Sequence, residues 1–383
     1  MKRQIIIFYS IFFSLYGILN GYIFLRGWQG LEKVSYLSCG YAIIFCILAI
    51  SFLAGRLLEK RTCSTISRTL VYIGSFWLAA MLYFFLFTAL IDIVRFVMML
   101  VSSHPKFVFR DYTQFKFYLF LFVFGFTIML LIYGWVNAAT PRLVKLNLKI
   151  NKSAPVKSFK IAVVSDIHLG VIIGKKRLQK IIDVINSIDA DLVLFPGDVV
   201  DEDILPVIEN DLGSLFKNIK TKNGIYAITG NHEYIGGVEA ACHYLNEHSV
   251  NELRDKTILI NKILYLVGRE DIMYNRNGRK RKTLSELLKD IDKSMPVILM
   301  DHQPYHLEDA EQNGVDVQLS GHTHHGQMFP LNLITNKIYE KSWGYLKKGA
   351  THYYISCGAG TWGPPIRIGN HPEVIELNLE FVG

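Results

Sequence analysis

Charged residues are scarce in the first third of this 383-residue chain. Residues 1–138 contain long stretches without any charge, and 51% of the whole chain is hydrophobic. That fraction is too high for one ordinary soluble enzyme, whereas the charged residues after Pro141 are typical of a globular domain. We therefore predict a transmembrane helical region at residues 1–140 and a single globular domain at residues 141–383.

Cysteine is also scarce, and several catalytic motifs are missing. Three of the five cysteines lie in or beside the hydrophobic region, and only Cys242 and Cys357 lie in the globular part. No CxxC pair is present, so neither a disulfide framework nor a cysteine zinc site is expected. The sequence has no GxSxG motif and no P-loop, which leaves no sign of the chemistries that those motifs serve.

Four apolar segments are each long enough to cross about 30 Å of hydrocarbon as a helix. They lie at about 5–25, 36–55, 69–91 and 117–136. The first segment follows Met1-Lys2-Arg3, as a secretory signal would, but it lacks a small-x-small cleavage site and three more spans follow it. We therefore predict that it is retained in the protein.

The basic residues predict how the chain is oriented. Lys2 and Arg3 precede the first span, and the loop between the second and third spans carries Arg56, Lys60, Arg61 and Arg68. Because positive charges favour the cytoplasmic side, both regions are expected there, and four spans then place the globular domain in the cytoplasm. The loop at 92–116 opposes this orientation with Arg95, Lys106, Arg110 and Lys116.

Segment 92–101 is apolar apart from Asp92 and Arg95. We interpret these two residues as a helical i,i+3 pair at a helix end in the membrane interface. A polar route through the membrane is the alternative, but the spans carry no other charges that would support it.

The globular domain repeats one pattern, in which an apolar strand is followed by polar residues. A first strand is predicted from Val144, and a helix is predicted at 177–188. Five further strands are predicted at 160–164, 191–195, 224–228, 297–300 and 315–319. Ligands of open α/β sheets bind at the carboxyl edge, so the polar residues that follow these five strands are expected to converge on one rim.

These rim residues combine carboxylate, carboxamide and imidazole groups, a mixture that suits Mn, Fe or Zn better than Ca or Mg alone. A carboxylate has two oxygens, so one Asp can bridge two cations about 3.5–4 Å apart, as in two-metal hydrolases. Such a pair lowers the pKa of a bridging water to near neutrality and neutralises charge on a phosphoryl group. The sequence therefore predicts two divalent metal ions and hydrolysis without a covalent nucleophile.

Five motifs occur in order along the globular part: Asp166-x-His168, Gly197-Asp198-x-x-Asp201, Gly230-Asn231-His232-Glu233, His302 and Gly321-His322-x-His324. They resemble the motifs of the calcineurin-like metallophosphoesterases, and the resemblance covers about residues 143–380. The resemblance implies an α/β fold, a four-layer α/β/β/α sandwich, here preceded by a bundle of about four transmembrane helices. It also implies two metal sites that share Asp198. One is formed by Asp166, His168, Asp198 and His324, and the other by Asp198, Asn231, His302 and His322. His232 is expected to act on the phosphoryl oxygen or the leaving group, and Asp201 to support the site from behind.

The stretch 358–367 and the segment 372–377 resemble a bacterial membrane-associated subgroup. This subgroup resembles phosphodiesterases and the UDP-diacylglucosamine pyrophosphatases of lipid A synthesis. Arg367 is a candidate phosphate contact, with a surface role as the alternative, and His325 replaces a more usual glycine. The resemblance implies a protein of the bacterial inner membrane. We expect it to hydrolyse a phosphodiester or pyrophosphate bond by attack of a metal-bridging hydroxide. Because four spans exceed what a tether needs, a lipid-linked or amphiphilic substrate is expected, with membrane lipids as neighbours.

Other functions remain open. A broad phosphomonoesterase or phosphoprotein phosphatase would use the same metal site, and a membrane sensor or transport module with a phosphoesterase output is an alternative of another class. The basic run at 276–282 is expected to be solvated, with contact to anionic head groups as its alternative. Nucleic acid is not expected as a partner, because the globular part has no basic stripe interleaved with aromatic residues.

Overall fold

The computed structural model describes residues 2–59, 61–62, 64–100 and 111–383. The chain divides into two compact units, Met1–Tyr133 and Gly134–Gly383. The helices that precede the first strand are α1 (Lys2–Gly30), α2 (Ser38–Glu59), α3 (Thr65–Leu100) and α4 (Tyr112–Ala138). A short 3-10 helix, Glu32–Leu37, precedes α2.

Within the described residues, three helical stretches are long and apolar enough to cross a membrane. They are Glu32–Glu59, Thr65–Leu100 and Tyr112–Ala138. These stretches contain the predicted spans at 36–55, 69–91 and 117–136. The predicted span at 5–25 lies within α1 and remains a prediction.

Small residues allow α2 and α3 to pack closely. A Cβ atom added to Gly55 would lie 2.6 Å from the backbone nitrogen of Val71, and one added to Gly74 would collide with the backbone of Phe52. Close backbone approach at small residues is the usual way in which apolar helices associate in a membrane. The first unit is therefore a packed helical bundle.

The second unit contains two six-stranded sheets. The strands are β1 (Arg142–Ile150), β2 (Ser158–Val163), β3 (Leu192–Phe195), β4 (Ile225–Ala227), β5 (Val250–Glu252), β6 (Lys256–Ile260), β7 (Leu264–Gly268), β8 (Val297–Met300), β9 (Val317–Ser320), β10 (Gly344–Lys348), β11 (Thr351–Ile355) and β12 (Glu373–Phe381). The first sheet has the order β1-β12-β2-β3-β4-β5, and the second has the order β10-β11-β9-β8-β7-β6. Strands β2 to β5 are parallel, as are β7, β8, β9 and β11.

The second unit also contains helices, of which α5 and α8 are the longest. The helices are α5 (Lys175–Ser187), α6 (Leu205–Glu209), α7 (Asn231–Gly236), α8 (Val238–Glu247), α9 (Leu284–Leu287), α10 (Glu308–Gln312) and α11 (Asn332–Ile338). Helix α5 begins after Gly174 and buries Leu178, Ile181, Ile182 and Ile185, which lie at helical spacing on one face.

The second unit has three hydrophobic cores, and successive side chains along a strand pack into different ones. In β3, Val193 and Phe195 pack with helix α5, whereas Leu192 and Leu194 pack between the two sheets. In β8, the residues alternate between the same central core and a third core on the outer face of the second sheet. Strands of a sheet that is buried on both faces have continuous apolar sequences, as these strands do. The predicted four-layer α/β/β/α sandwich is confirmed.

Candidate metal centre

The predicted motif residues follow strands of both sheets. Strands β2, β3 and β4 lead to Asp166, Asp198 and Asn231, and strands β8 and β9 of the second sheet lead to His302 and His322. The rim is therefore assembled from the carboxyl ends of two facing sheets. Sequence patterns alone predicted one rim without showing that two sheets contribute to it.

Sharp turns hold several of these side chains at the strand ends. Asp166, His168, Asp198, His322 and His324 all have positive φ, between 45° and 72°. This left-handed conformation is uncommon for residues other than glycine, and it concentrates at functional sites where the surrounding structure holds it in place.

One group of potential metal ligands lies near the carboxyl end of β2. Asp166, His168 and His324 place one ligand atom each within 4.8 Å of one another. The Nε2 atoms of His168 and His324 lie 2.9 Å apart, and His324 Nε2 lies 3.5 Å from Asp166 Oδ1. All three side chains are buried, so their donor atoms face a small enclosed volume.

A second group shares the same rim. Asp198, His302 and His322 also place ligand atoms within 4.8 Å of one another. The Oδ1 atom of Asn231 lies 3.2 Å from His302 Nε2 and 2.6 Å from His322 Nδ1. Asp198 also groups with His168 and His232, and its Oδ2 lies 3.8 Å from His168 Nε2. Asp198 therefore lies between the two groups.

The acceptor atoms around His302 are arranged so that a cation between them would be stabilised. Its Nδ1 donates to the carbonyl of Pro196 at 2.8 Å, so a neutral ring leaves a lone pair on Nε2. That lone pair faces Asp198 Oδ2 at 3.1 Å and Asn231 Oδ1 at 3.2 Å. Three electron-rich atoms at this separation are stable only around a proton or a metal ion. A backbone carbonyl that fixes the tautomer in this way is typical of metal-binding histidines.

The first group fits a cation in the same way. Asp166 Oδ2 is buried and has no hydrogen-bond partner among the residues that the structure describes. Burial raises the pKa of Asp166, because no nearby charge compensates this carboxylate fully. Burying such a group is costly unless a cation or hydrogen bonds satisfy it. Both groups of Asp and His side chains are able to bind metal ions, which is what two divalent cations of the Mn, Fe or Zn kind require.

Burial lowers the pKa of His302, but the charge and hydrogen bond of Asp198 raise it well above its ordinary value, so a proton on His302 faces Asp198 until a cation replaces it. Burial and the charge of His302 lower the pKa of His322 to about 3, and burial with the charge of His168 lowers the pKa of His324. Both imidazoles are therefore neutral at physiological pH. Burial by itself raises the pKa of Asp198, but the charge and hydrogen bond of His302 hold it well below its ordinary value.

His232 and Asp201 form a pair beside these groups. His232 Nδ1 lies 3.1 Å from Asp201 Oδ1, and the same oxygen lies 3.7 Å from His168 Nδ1. Burial lowers the pKa of His232, but the hydrogen bond to Asp201 and the charges of Asp198 and Asp201 raise it to about 9. The His232 ring also lies 5.9 Å from the ring of Trp362, which is 52% exposed. His232 is thus oriented by Asp201 on one side and lies beside the exposed Trp362 on the other.

Glu233 is a site residue whose role the motif pattern did not reveal. Its carboxylate accepts hydrogen bonds from the backbone nitrogens of Gly230 at 2.8 Å, Val200 at 2.9 Å and Asp198 at 3.2 Å. It therefore ties the loop after β3 to the loop after β4, and so places Asp198 beside Asn231. Its position at the third residue of helix α7 was the available signal, because a glutamate there commonly reaches back to the helix start.

Gly230 has no space for a side chain, which yields a prediction. A Cβ atom there would lie 2.6 Å from the Asp198 backbone nitrogen and would collide with its carboxylate. We expect Gly230→Ala to displace Asp198 and weaken metal affinity by about 10–100-fold, as changes to the support of metal ligands do. Metal content after dialysis against graded manganese concentrations measures this effect.

Gly174→Ala is the matched control for this prediction. A Cβ atom at Gly174 meets nothing within 4 Å, and its φ of −96° suits alanine. The control should bind metal like the unaltered protein. Equal metal affinity in both variants would show that Gly230 does not position Asp198.

Arg367 occupies a different place from the one that the sequence suggested. The side chain is fully buried, and it donates to the carbonyls of Cys357 at 2.6 Å and Gly360 at 2.8 Å. Its Nη2 also lies 3.3 Å from His324 Nδ1. This geometry does not favour the predicted phosphate contact or the alternative surface role. Arg367 instead contacts the ring of His324, a candidate metal ligand, at the nitrogen Nδ1.

Two other sequence features have structural roles. His325 Nδ1 lies 2.8 Å from Ser342 Oγ, and its ring packs 5.2 Å from that of Trp343. In the basic run, Arg281 is paired with Asp301 at 2.9 Å and is largely buried, so this arginine is neither solvated nor available to head groups. The side chains of Arg276 and Asn277 lie outside the described residues.

Comparison with known proteins agrees with the geometry. The family model for calcineurin-like phosphoesterases matches residues 159–326. An uncharacterized metallophosphoesterase of Helicobacter pylori is 34% identical over 67% of this chain and 69% of its own length. One from Campylobacter jejuni is 29% identical over 98% of each chain. A transmembrane protein with a metallophosphoesterase domain from Danio rerio is 29% identical over 66% of this chain and 61% of its own.

The family match covers the whole rim, from Asp166 to His324. Together with the three apolar helices and the transmembrane relative, these likenesses indicate a membrane protein that carries a metal-dependent phosphoester hydrolase. The chain therefore belongs to the calcineurin-like metallophosphoesterase family.

Proposed function

We propose that this protein hydrolyses a phosphodiester or pyrophosphate bond of an amphiphilic or lipid-linked substrate with a pair of divalent metal ions. The observation that carries the proposal is the placement of Asp198 between two groups of buried or half-buried ligand residues. Bound there, two cations supply a hydroxide nucleophile at neutral pH and neutralise charge on the phosphoryl group. A monoesterase would use the same groups, so the substrate must be tested directly.

We assign the ligands in two sets that share one carboxylate. Asp166, His168, Asp198 and His324 hold the first cation, and Asp198, Asn231, His302 and His322 hold the second. The observed groups support this division, and Asn231 joins the second set through its contacts with both histidines. The mixed carboxylate, carboxamide and imidazole set favours Mn, Fe or Zn.

His232 acts on the substrate rather than on a metal ion in this proposal. Its ring is oriented by Asp201 and remains protonated near neutrality, so it can donate a hydrogen bond to a phosphoryl oxygen or a proton to the leaving group. Asp201 is a positioning residue, because it contacts His232 and lies near His168 rather than facing the rim.

Exposed apolar side chains near the site support an amphiphilic substrate. Helix α11 begins against Gly326, two residues beyond His324, and none of its residues is buried. We call five exposed side chains on α11 and the adjoining loops the apolar patch: Phe329, Leu333, Ile334, Ile338 and Trp362. Gln327 joins the two loops by accepting from Trp362 N at 2.9 Å and donating to its carbonyl at 3.0 Å. Such a patch is typical of surfaces that contact lipid or apolar ligands.

The remaining parts of the proposal concern location. We place the protein in a bacterial inner membrane with the catalytic unit in the cytoplasm, on the strength of the basic residues that flank the first span and precede the third. Cysteine-accessibility labelling of Lys222→Cys, an exposed position in the second unit, in intact cells and in inverted vesicles tests the orientation. Labelling of intact cells by an impermeant reagent would contradict it.

The substrate class is tested with the full chain in detergent micelles containing manganese. We expect bis(p-nitrophenyl) phosphate to be hydrolysed faster than p-nitrophenyl phosphate, and a micellar lipid pyrophosphate to be hydrolysed as well. Replacing Leu333 and Ile334 by serine should lower kcat/KM for the lipid by about tenfold, because less apolar area then contacts the substrate. Turnover of the soluble diester should not change.

Leu259→Ser is the control for this experiment, since Leu259 is exposed on strand β6, an edge strand. It should leave the hydrolysis of both substrates unaltered. Preference for the monoester would favour the phosphomonoesterase instead. Equal lipid turnover in the double variant and the control would remove the amphiphilic part of the proposal.

A further inference from the structure

The first unit contains a cavity of about 310 Å³ between its helices. This volume lies at the lower end of the range for ligand pockets. Most of its wall is apolar and comes from all four helices, with Phe45 and Leu48 of α2, Phe84 of α3 and Phe124 of α4 among the lining residues. The cavity lies wholly within residues 23–124, so it is separate from the metal centre.

One end of the cavity is charged. Arg26 of α1, Asp92 and Arg95 of α3 and Lys116 of α4 all line it. Arg26 pairs with one oxygen of Asp92 at 2.5 Å, and Arg95 lies 3.7 Å from the other oxygen. Lys116 pairs with Glu32, which precedes α2. Among the residues that the structure describes here, three cations therefore face two carboxylates, and one positive charge remains in excess.

Hydrogen bonds hold this cluster in place. Tyr22 donates to Asp92 Oδ2 at 2.6 Å, Arg95 donates to Tyr112 Oη at 2.7 Å, and the Lys116 ammonium lies 5.3 Å from the centre of the Tyr112 ring. The sequence predicted a local pair between Asp92 and Arg95. The structure adds Arg26 from another helix, so the single charge of Asp92 is shared between two arginines. Because Arg26 is the closer of the two, the guanidinium of Arg95 is able to bind an anion as well.

The charges lie where a lipid head group would lie. Arg26 and Arg95 are near the carboxyl ends of α1 and α3, and Lys116 is near the amino end of α4, so the cluster marks one end of the bundle. The apolar wall continues from there toward the middle of the helices, through Tyr41 and Phe120 and then Phe45 and Phe84. A lipid in one leaflet has this same order of phosphate and acyl chain.

We infer that the helical unit binds one anionic phospholipid, with its phosphate on Arg26, Arg95 and Lys116 and an acyl chain in the apolar cavity. Charge decides between the lipid classes. A zwitterionic head group brings its own cation to a cluster that already has an excess of positive charge, whereas an anionic one neutralises it. Charged side chains that line a cavity in a helical bundle are usually functional, which the inference explains. It does not depend on the proposed hydrolysis.

The test is a native mass-spectrometry titration of the full chain in mild detergent. The probes are phosphatidylglycerol, phosphatidylcholine with the same acyl chains, and glycerol 3-phosphate. We expect phosphatidylglycerol to bind at least tenfold more tightly than either of the others. Equal binding of phosphatidylcholine would overturn the role of the charges, and equal binding of glycerol 3-phosphate would overturn the role of the cavity.

Two variants complete the test. Arg95→Gln should weaken phosphatidylglycerol binding at least tenfold, whereas Arg61→Gln, at an exposed loop arginine outside the cavity lining, should not. Leu48→Trp narrows the apolar part and should also weaken binding, so it decides the question if Arg95→Gln fails to fold. Far-UV circular dichroism and a single monodisperse elution peak in detergent report folding of the chain in each case. Folded variants that bind the lipid as the unaltered protein does would refute the inference.

Discussion

The Asp198→Asn variant is expected to lose hydrolysis of bis(p-nitrophenyl) phosphate by at least about 10³-fold. Asp198 is the one carboxylate that reaches both groups of ligand atoms, and an amide oxygen offers less charge to two cations. Metal ions contribute several kcal/mol of charge stabilisation in such reactions, and each 1.36 kcal/mol is worth tenfold in rate. Turnover with saturating manganese measures the loss, and metal analysis should show less than two equivalents bound.

Asp183→Asn is the matched control, because Asp183 lies exposed on α5 and accepts a surface hydrogen bond from Gln179. It removes the same charge without touching the rim and should retain full activity. An Asp198→Asn protein that kept both its metal content and its turnover would contradict the role of Asp198 as the shared ligand.

The His232→Gln variant is expected to keep its metal ions and to lose turnover by about 10²–10⁴-fold. This range is what a positioned proton donor contributes. His232 groups with His168 and Asp198 but is held by Asp201 at 3.1 Å, and its ring lies 5.9 Å from that of Trp362. The measurement is kcat with a substrate whose leaving group is poor, compared with one whose leaving group is good.

The comparison of leaving groups separates two roles for His232. A larger loss with the poor leaving group indicates that His232 protonates it, and an equal loss with both indicates that His232 stabilises a phosphoryl oxygen. His243→Gln is the control, since His243 is exposed on α8 and pairs with Glu247. Metal loss in His232→Gln would show that the residue is a ligand instead.

Much of the catalytic fold could be predicted because its strands are buried on both faces. The apolar runs predicted at 191–195 and 297–300 correspond to β3 and β8, and the helix predicted at 177–188 corresponds to α5 at Lys175–Ser187. Polar residues follow each run within three positions, Asp198 after β3 and His302 after β8, so the strand end and the site residue share one signal in the sequence. Family resemblance added the four layers.

The roles of Glu233, Arg367 and Arg281 could not be predicted because they depend on contacts between distant segments. Arg367 lies near His324 and Arg281 pairs with Asp301, and neither pairing follows from local periodicity. A glycine- and proline-rich loop made exposure plausible for Arg367, yet several backbone carbonyls turn inward and bury its guanidinium. Glu233 had a local signal in its helix position, but its bond to Val200 did not.

In the helical region, too, contacts between distant segments could not be predicted from the sequence. Hydropathy predicted its spans, but the partner of Asp92 across the bundle is set by helix packing, which a single sequence does not record. Arg95 and Lys116 opposed the predicted orientation when all loop charges were counted. Both residues line the cavity. The inferred binding of an anionic phospholipid accounts for their positive charges without any effect on the orientation of the spans.

The central claim is that two metal ions on this rim carry out hydrolysis, and a metal titration of the full chain tests it most directly. Metal-free protein in detergent is titrated with manganese while bound metal and turnover of bis(p-nitrophenyl) phosphate are both measured. We predict no turnover without metal, and full activity when two equivalents are bound per chain. Turnover by the metal-free protein, or two bound equivalents without hydrolysis of any phosphate ester tested, would contradict it.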